Sequence, residues 1–291
     1  MCLGKFRALF TVTIFLLTSL AVAQEKSDYR RIVSIGGSLT EIVYELGAED
    51  LLVAVDTTSG YPESALAELP NVGYMRTLSA EPILALNPDL VMLSSDAGPL
   101  QVLDQLREAG TKVVVIEDLP SVDGIYGKIR EVSQLVDRDQ QGQRLIETIR
   151  ADFIDAMDLI SQVENHPRVL FLLSVGAGAP LAAGEATSAN TVIKLAGGQN
   201  VMSQINGYKP VSPESIVVGA PDFVLIPQRA FDLFGSKEAV FELPELIATP
   251  AAENQNLLVF DSLYLMGFGP RSVKAVLDLA KALHPNLGSG E

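Results

Sequence analysis

One uninterrupted helical segment in the middle of the chain places the strongest constraint on its fold. From about residue 139 to residue 163 there is no proline and no glycine other than Gly142. Apolar residues recur through it at helical spacing, namely Leu145, Ile149, Phe153, Met157 and Ile160. The pattern predicts one helix of about 25 residues, which ends before Pro167 because proline does not continue a helix.

Short apolar runs alternate with amphipathic segments on both sides of this helix. Such alternation predicts mostly parallel sheets with helices on their faces. The predicted strands are 31–35, 52–56, 90–93, 112–116, 169–173, 223–226 and 257–260, and the predicted helices are 39–46, 100–109, 190–196 and 272–283. We therefore expect an α/β protein with two lobes, residues 24–137 and 167–291, joined by a connecting helix at 138–166.

A weak internal repeat supports two equivalent lobes. The segment LSAEPILALNPDLVML (78–93) aligns without gaps with VSPESIVVGAPDFVLI (211–226). Each copy has the pattern of a helix, a Pro-Asp turn and a buried strand. A rigid connector between two such lobes predicts a cleft, which is where small-molecule sites tend to lie.

The N-terminal 23 residues have the pattern of a cleavable signal peptide. Lys5 and Arg7 precede an apolar run that ends in Ala-Val-Ala. Cleavage after Ala23 would leave 268 residues without the single cysteine, Cys2. It would also move the net charge from −15 to −17, because residues 1–23 contain two bases and no acid. That charge argues against nucleic acid or anionic lipid as a partner, and we expect an exported protein that does not span the membrane.

Tyr74 and Arg76 form the pair with the most informative chemistry. They lie two positions apart in the segment GYMRTLSAEP, just before a helix start and a buried strand. A phenolate is an oxygen ligand suited to ferric iron, and a neighbouring cation favours the phenolate over the phenol. An ordinary loop tyrosine packed against the fold is the alternative, and the spacing alone does not decide between the two.

Several motifs together resemble the periplasmic haem-binding proteins of bacterial ABC importers. The chain is similar to them over essentially its whole predicted mature length, in RIVSIGGSLTEIVYELG (31–47), TTSGYP (57–62), VGYMRTLSAE (72–81), NPDLV (87–91), AAGEATSANTVIKLAGGQNV (182–201) and GFGPRSVKAVLDLAKALHP (267–285). The resemblance implies two Rossmann-like lobes and a long backbone helix, the class III binding-protein fold. It also implies a monomer, without enzymatic activity, that carries haem b to an inner-membrane ABC permease and its ATPase.

The resemblance assigns individual residues as well. It implies that Tyr74 is the axial ligand to the haem iron, that Arg76 supports the phenolate, and that Arg229 contacts the haem from the second lobe. Some relatives carry a second axial histidine where this chain has Val175, so none is expected here. The sixth position is then open to three alternatives: it is empty, it holds water, or another side chain such as Tyr208 or Tyr264 occupies it.

Glu41 has two interpretations. The sequence Ser38-Leu-Thr-Glu41 fits a capping box at the start of a helix. The resemblance implies instead an exposed acid that docks on the permease, and both roles are compatible if the carboxylate lies on the outer surface. Glu185 and Glu214 are candidates for the matching acid of the second lobe. For Arg271, in GFGPR, we expect a structural turn with a salt bridge rather than a contact to a haem propionate.

The remaining function classes fit the sequence less well. A ferric-siderophore or cobalamin receptor of the same fold is the main alternative to a haem receptor. A dedicated zinc or manganese receptor needs several histidine and carboxylate ligands, and the chain has two histidines. With no cysteine after cleavage and no clustered histidine, we expect no enzyme. Gly36-Gly37 lacks the rest of a dinucleotide-binding fingerprint and predicts a tight turn.

Overall fold

A computed structural model describes residues 28–174 and 178–287, so the predicted signal peptide and Val175 lie outside the described residues. Among those residues no helix is long and apolar enough to cross a membrane. The described chain forms two α/β lobes on either side of one long helix, as the alternation predicted.

The first lobe is built on a four-stranded parallel sheet with the strand order β2-β1-β3-β4. Its two central strands, β1 and β3, are buried along their whole length, as expected where helices cover both faces. The strands are β1 (Ile32–Ile35), β2 (Leu52–Val55), β3 (Leu90–Ser94) and β4 (Lys112–Ile116). The helices are α1 (Gly37–Glu45), α2 (Glu63–Glu68), α3 (Ala80–Leu84), α4 (Leu100–Glu108) and α5 (Val122–Leu135), with 3-10 turns at Glu49–Leu51 and Met75–Thr77.

The connecting helix α6 (Asp139–Ile160) has 22 residues and packs against α5. Gly142 permits this packing, because a Cβ there would lie 2.5 Å from the Ser133 side chain. The predicted helix is confirmed, although it ends three residues earlier than expected. The limits of the three segments 24–137, 138–166 and 167–291 stay a prediction.

The second lobe has a six-stranded sheet whose main path runs β10-β9-β5-β6-β8, with the short β7 paired to β5. Strands β6 and β8 are antiparallel, which the sequence did not predict. The strands are β5 (Arg168–Ser174), β6 (Leu181–Ala183), β7 (Gln199–Asn200), β8 (Tyr208–Pro210), β9 (Phe223–Pro227) and β10 (Leu257–Phe260). The helices are α7 (Ser188–Leu195), α8 (Pro213–Gly219), α9 (Gln228–Phe231), α10 (Lys237–Phe241), α11 (Pro250–Glu253), α12 (Ser262–Met266) and α13 (Ser272–Leu283).

The internal repeat extends to individual hydrogen bonds. In the first lobe the Asp89 carboxylate accepts from the backbone N–H of Arg31, and the Arg31 guanidinium donates to the Leu86 and Asn87 carbonyls. In the second lobe Asp222 accepts from the backbone N–H of Arg168, whose guanidinium donates to the Gly219 carbonyl. In each lobe, the aspartate of the Pro-Asp turn therefore accepts a hydrogen bond from the backbone at the start of the first strand.

Hydrophobic packing is continuous between the lobes. One cluster of buried side chains includes Ile42 of α1, Ile149 of α6 and Val276 of α13. Helix α13 packs on both α6 and α7. The final helix of the chain thus ties the second lobe to the connecting helix.

Candidate functional site

The carboxyl ends of the parallel strands of the first lobe meet at one edge of its sheet, the usual location of ligand sites in such sheets. Asp56 follows β2 there and is fully buried. Its carboxylate accepts from the Gly36 N–H at 2.9 Å and from the Thr58 N–H at 3.1 Å. Asp56 therefore fixes the loop that carries Tyr61 and connects it to the turn after β1.

Tyr74 lies close to this edge, in a segment whose start pairs with β2. It immediately precedes the 3-10 turn Met75–Thr77, and 41% of its surface is exposed. Arg76 Nη1 donates to the Tyr74 hydroxyl oxygen at 2.8 Å. In an extended segment residues i and i+2 point the same way, which would bring these two side chains together. The segment instead turns after Tyr74, and the long arginine side chain still reaches the phenol.

Asp96 completes the group, and no motif or spacing in the sequence indicates this role. It lies in the loop after β3, and its Oδ2 accepts from Arg76 Nη2 at 2.7 Å. Partial burial acts to lower the pKa of Arg76, but the hydrogen bonds and charges of Tyr74 and Asp96 outweigh it and raise that pKa. Arg76 is therefore a permanent cation next to the Tyr74 oxygen.

Tyr208 brings the second lobe to this group. Burial raises its pKa, and Tyr208 lies near enough to Arg76 and Asp96 for their charges to act on it as well. Its hydroxyl donates to the Met266 sulfur at 3.8 Å, and its ring packs edge-on against Phe171. The dipeptide Gly207-Tyr208 also repeats Gly73-Tyr74, and both glycines have a positive φ. Tyr208 is thus a half-buried counterpart of Tyr74. Tyr264, the other tyrosine considered as a sixth ligand, donates its hydroxyl hydrogen to Asp278 at 2.7 Å.

Arg229 is exposed on the short helix α9, directly after β9. It therefore lies at the carboxyl edge of the second sheet. The predicted contact of Arg229 with haem, and the predicted role of Tyr74 as iron ligand, stay predictions. The two histidines lie elsewhere: His166 Nδ1 is 2.9 Å from the Gly197 carbonyl, and His284 lies beside the same glycine.

Glu41 does not occupy the exposed position that permease docking requires. Only 2% of its side chain is exposed, and its carboxylate accepts from Arg271 twice. The backbone N–H of Arg271 donates to Oε1 at 3.0 Å, and Nη2 donates to Oε2 at 2.9 Å. The predicted docking role of Glu41 is therefore wrong, because both of its carboxylate oxygens accept hydrogen bonds from Arg271 of the second lobe. The salt bridge predicted for Arg271 is confirmed.

The capping box predicted for Glu41 is wrong as well. Helix α1 is capped by Gly36, without any side-chain capping bond. Burial raises the pKa of Glu41, and the hydrogen bonds and charge of Arg271 only partly offset that effect.

A glycine is required at position 37, since a Cβ there would lie 2.2 Å from the Thr58 carbonyl and 2.8 Å from Leu263. The glycine pair therefore permits close packing against the other lobe.

Two tyrosines enclose the Glu41–Arg271 pair. The guanidinium carbon of Arg271 lies 3.4 Å from the ring centre of Tyr61 and 5.2 Å from that of Tyr264. These distances allow cation–π attraction to both rings. We call Glu41, Arg271, Tyr61 and Tyr264 the interlobe cluster, because Glu41 and Tyr61 belong to the first lobe and the other two to the second.

Lys128 adds a second polar contact between the lobes. Its side chain is fully buried, and its Nζ pairs with Asp118 and donates to Ser38 Oγ at 3.3 Å. It also donates to the Gly267 carbonyl of the second lobe at 3.1 Å. Burial lowers the pKa of Lys128, while the Asp118 carboxylate acts in the opposite direction. Among residues 28–174 and 178–287 no group of three or more histidine, cysteine or acidic residues could hold a metal ion.

Comparison with known proteins assigns the chain to a family. The periplasmic binding protein family matches residues 32–264, so the chain belongs to it. It is 29% identical over 260 residues to a vitamin B12-binding protein of Yersinia pseudotuberculosis, covering 88% of this chain and 89% of that protein. It is 24% identical over 264 residues to an uncharacterised ABC transporter substrate-binding lipoprotein of Bacillus subtilis, covering 90% of this chain and 82% of the relative.

Among solved structures, the similar ones include periplasmic heme-binding proteins. RhuT of Roseiflexus sp. RS-1 matches with a TM-score of 0.85 and 38% identity, over 88% of this chain and 98% of RhuT. HutB of Vibrio cholerae matches with a TM-score of 0.79 and 37% identity, over 88% and 99%. BhuT, solved with two hemes, gives 0.84 and 36%, over 89% and 99%. The protein thus has the class III fold of substrate-binding proteins of ABC importers, which are not enzymes.

Proposed function

We propose that this protein captures haem b in the cleft between its lobes and delivers it to an ABC permease and its ATPase. The observation that carries the proposal is the Tyr74–Arg76 pair, in which an exposed phenol oxygen lies 2.8 Å from a guanidinium nitrogen. Tyrosine is a known haem ligand. Its usual pKa near ~10 means that it binds as phenolate only where positive charge is close.

Exposed apolar side chains near the same edges suit a flat apolar ligand. Leu100 follows the loop after β3, Leu119 follows β4, and Leu233 follows β9, and all three are exposed. Haem presents two large apolar faces and an anionic propionate edge. Arg229, at the corresponding edge of the second sheet, is the cation that we expect to contact a propionate.

A cobalamin or ferric-siderophore receptor is the alternative, and the vitamin B12-binding relatives favour it. Cobalamin contains no ferric iron for a protein phenolate to bind. A cation held next to a phenol therefore has no evident role in a cobalamin receptor. The haem-binding structures are also nearer in sequence, at 36–38% identity for the three described above against 29%. We therefore prefer haem and expect delivery from the periplasm, after removal of a signal peptide at residues 1–23.

A hemin titration tests the proposal. The wild type is expected to give a shifted Soret band, whereas Tyr74→Phe and Tyr74→Ala lose it and bind hemin more weakly. The loss should exceed the ~10–100-fold typical for a residue that only supports a metal ligand. Tyr44→Phe, on helix α1, is the matched control. Unchanged spectra and affinity in Tyr74→Ala, or binding of cyanocobalamin but not hemin by the wild type, would exclude the proposal.

Docking on the permease needs exposed acids, and the internal repeat supplies a pair. Glu81 and Glu214 align in the repeat, and each lies exposed in the first turn of its helix, α3 or α8. We propose that these two glutamates replace Glu41 as docking residues. Charge reversal in Glu81→Lys plus Glu214→Lys is expected to abolish uptake in vesicles with the reconstituted transporter, while hemin binding is retained. Uptake equal to that of the control Glu68→Lys would contradict this assignment.

A further inference from the structure

The Arg76 side chain is held from two directions. Nη1 donates to the Tyr74 oxygen at 2.8 Å, and Nη2 donates to Asp96 Oδ2 at 2.7 Å. Because the guanidinium group is planar and rigid, fixing one nitrogen on a carboxylate fixes the direction of the other. The carboxylate therefore determines where the donor next to Tyr74 points.

Asp96 itself is set in place by the backbone. The Asp96 N–H donates to Ser94 Oγ at 3.2 Å, and Ser94 Oγ in turn donates to Asp118 at 3.1 Å. Reciprocal backbone bonds then join this loop to the segment that carries Tyr74. Gly98 N–H donates to the Met75 carbonyl, and Leu78 N–H donates to the Gly98 carbonyl, each at 2.9 Å. The loop after β3 and the tyrosine segment are thus one fixed unit.

Without Asp96, the Arg76 side chain could adopt other rotamers or bind other acceptors. More than half of the Arg76 side chain is exposed, so it is free to sample several rotamers unless something holds it. A ligand with carboxylate groups would also compete with the phenol for its donors. Asp96 satisfies one side of the guanidinium and leaves the other for Tyr74.

We infer that Asp96 is a positioning residue that keeps Arg76 on the Tyr74 oxygen and so favours iron ligation by the phenolate. The inference rests on the proposed haem-binding function. The negative charge of Asp96 opposes phenolate formation, so removing it has two effects of opposite sign. The positional effect is the larger, because the carboxylate contacts the arginine directly and the phenol only through it.

The experiment is a hemin titration of the full chain with Asp96→Ala, Asp96→Asn, Arg76→Ala and the Asp96→Ala plus Arg76→Ala double variant. Asp96→Ala is expected to weaken binding about 10-fold, at the lower end of the effects of residues that support a metal ligand. Its phenolate-to-iron charge-transfer band should shift toward that of Arg76→Ala. Asp96→Asn keeps the hydrogen-bond acceptor. Its hemin affinity should therefore stay within about 3-fold of that of the wild type, compared with the roughly 10-fold loss in Asp96→Ala.

The double variant and a control make the result decisive. If Asp96 acts through Arg76, the double variant binds hemin no more weakly than Arg76→Ala alone. Asp104→Ala, which removes an exposed acid paired with Arg107 at 3.0 Å, should leave binding unchanged. Binding by Asp96→Ala as tight as or tighter than the wild type, or a full additive loss in the double variant, would overturn the inference. A wild type that binds no hemin fails the proposed function instead, which keeps the two failures apart.

Discussion

The protein contains two groups with the same composition, an arginine with a carboxylate and at least one tyrosine, in opposite environments. In the first, the side chains of Arg76 and Asp96 are 53% and 56% exposed. In the interlobe cluster, those of Arg271 and Glu41 are 22% and 2% exposed. Residue type alone therefore does not separate the group proposed to bind ligand from the group between the lobes, whereas burial does.

The physical reason is the cost of removing charges from water. Breaking a buried pair leaves a charge without solvent or partner, which is far more costly than breaking an exposed one. The exposed pair at Tyr74 can exchange its contacts for those of a ligand at little cost. The buried pair cannot, so it holds the lobes together.

Arg271→Ala is expected to have the largest effect. It leaves the Glu41 carboxylate buried and removes the contacts to both rings, which should lower the free energy of unfolding by about 3 kcal/mol. Urea unfolding monitored by circular dichroism measures this loss. Arg107→Ala, in the exposed pair with Asp104, should lose about 1 kcal/mol at most. Equal losses in the two variants would remove the proposed difference between buried and exposed pairs.

The pH dependence of the buried pair is expected to be smaller. Burial raises the folded-state pKa of Glu41 above its usual 4.5, so the folded protein binds more protons than the unfolded chain in that window. The stability of the wild type relative to Glu41→Gln should therefore fall as the pH rises from about 4.5 through the folded-state pKa. Unfolding curves of both proteins across this range give the difference directly. A difference that grows with pH would show that pairing with Arg271 outweighs burial.

Arg76→Ala is expected to have the smallest effect on stability and a large one on ligand binding. Removing an exposed ion pair should change the free energy of unfolding by less than about 1 kcal/mol. Hemin affinity should nevertheless fall by ~10–100-fold, since the phenolate loses its supporting cation. Unfolding and hemin titration of the same preparation test both statements. A variant as unstable as Arg271→Ala, with unchanged hemin affinity, would reverse the assignment of the two groups.

Sequence periodicity was sufficient for much of the fold. Strands β4 and β10 and helix α13 have the predicted limits, because each is a continuous apolar run or a regular amphipathic pattern between clear breakers. Helix α5 was missed, since Gly124 and Gly127 interrupt its pattern. Gly124 is required by packing instead: a Cβ there would lie 2.2 Å from the Leu119 carbonyl.

The candidate site was predicted only in its local part. Tyr74 and Arg76 are two residues apart, so their contact follows from short-range geometry. Asp96 is 20 residues from Arg76, and Glu41 is 230 residues from Arg271. Contacts over such separations depend on how strands and lobes come together, which spacing in the sequence does not encode. The exposed position expected for Glu41 came from the family resemblance, and the sequence gives no sign of its contact with Arg271.

The buried contacts between the lobes also determine which step of a transport cycle requires energy. If the lobes separate at this contact, Glu41 and Arg271 lose the charged partner that neutralises each of them, and Lys128 loses its hydrogen bond to the Gly267 carbonyl. Water that enters on separation would solvate the freed charges, so the cost of opening comes mainly from exposing the apolar side chains of the cluster shared by the two lobes. Thermal motion would then open this contact only rarely. In the proposed transport cycle, an energy-driven partner would have to force the lobes apart, and release rather than capture would be the demanding step.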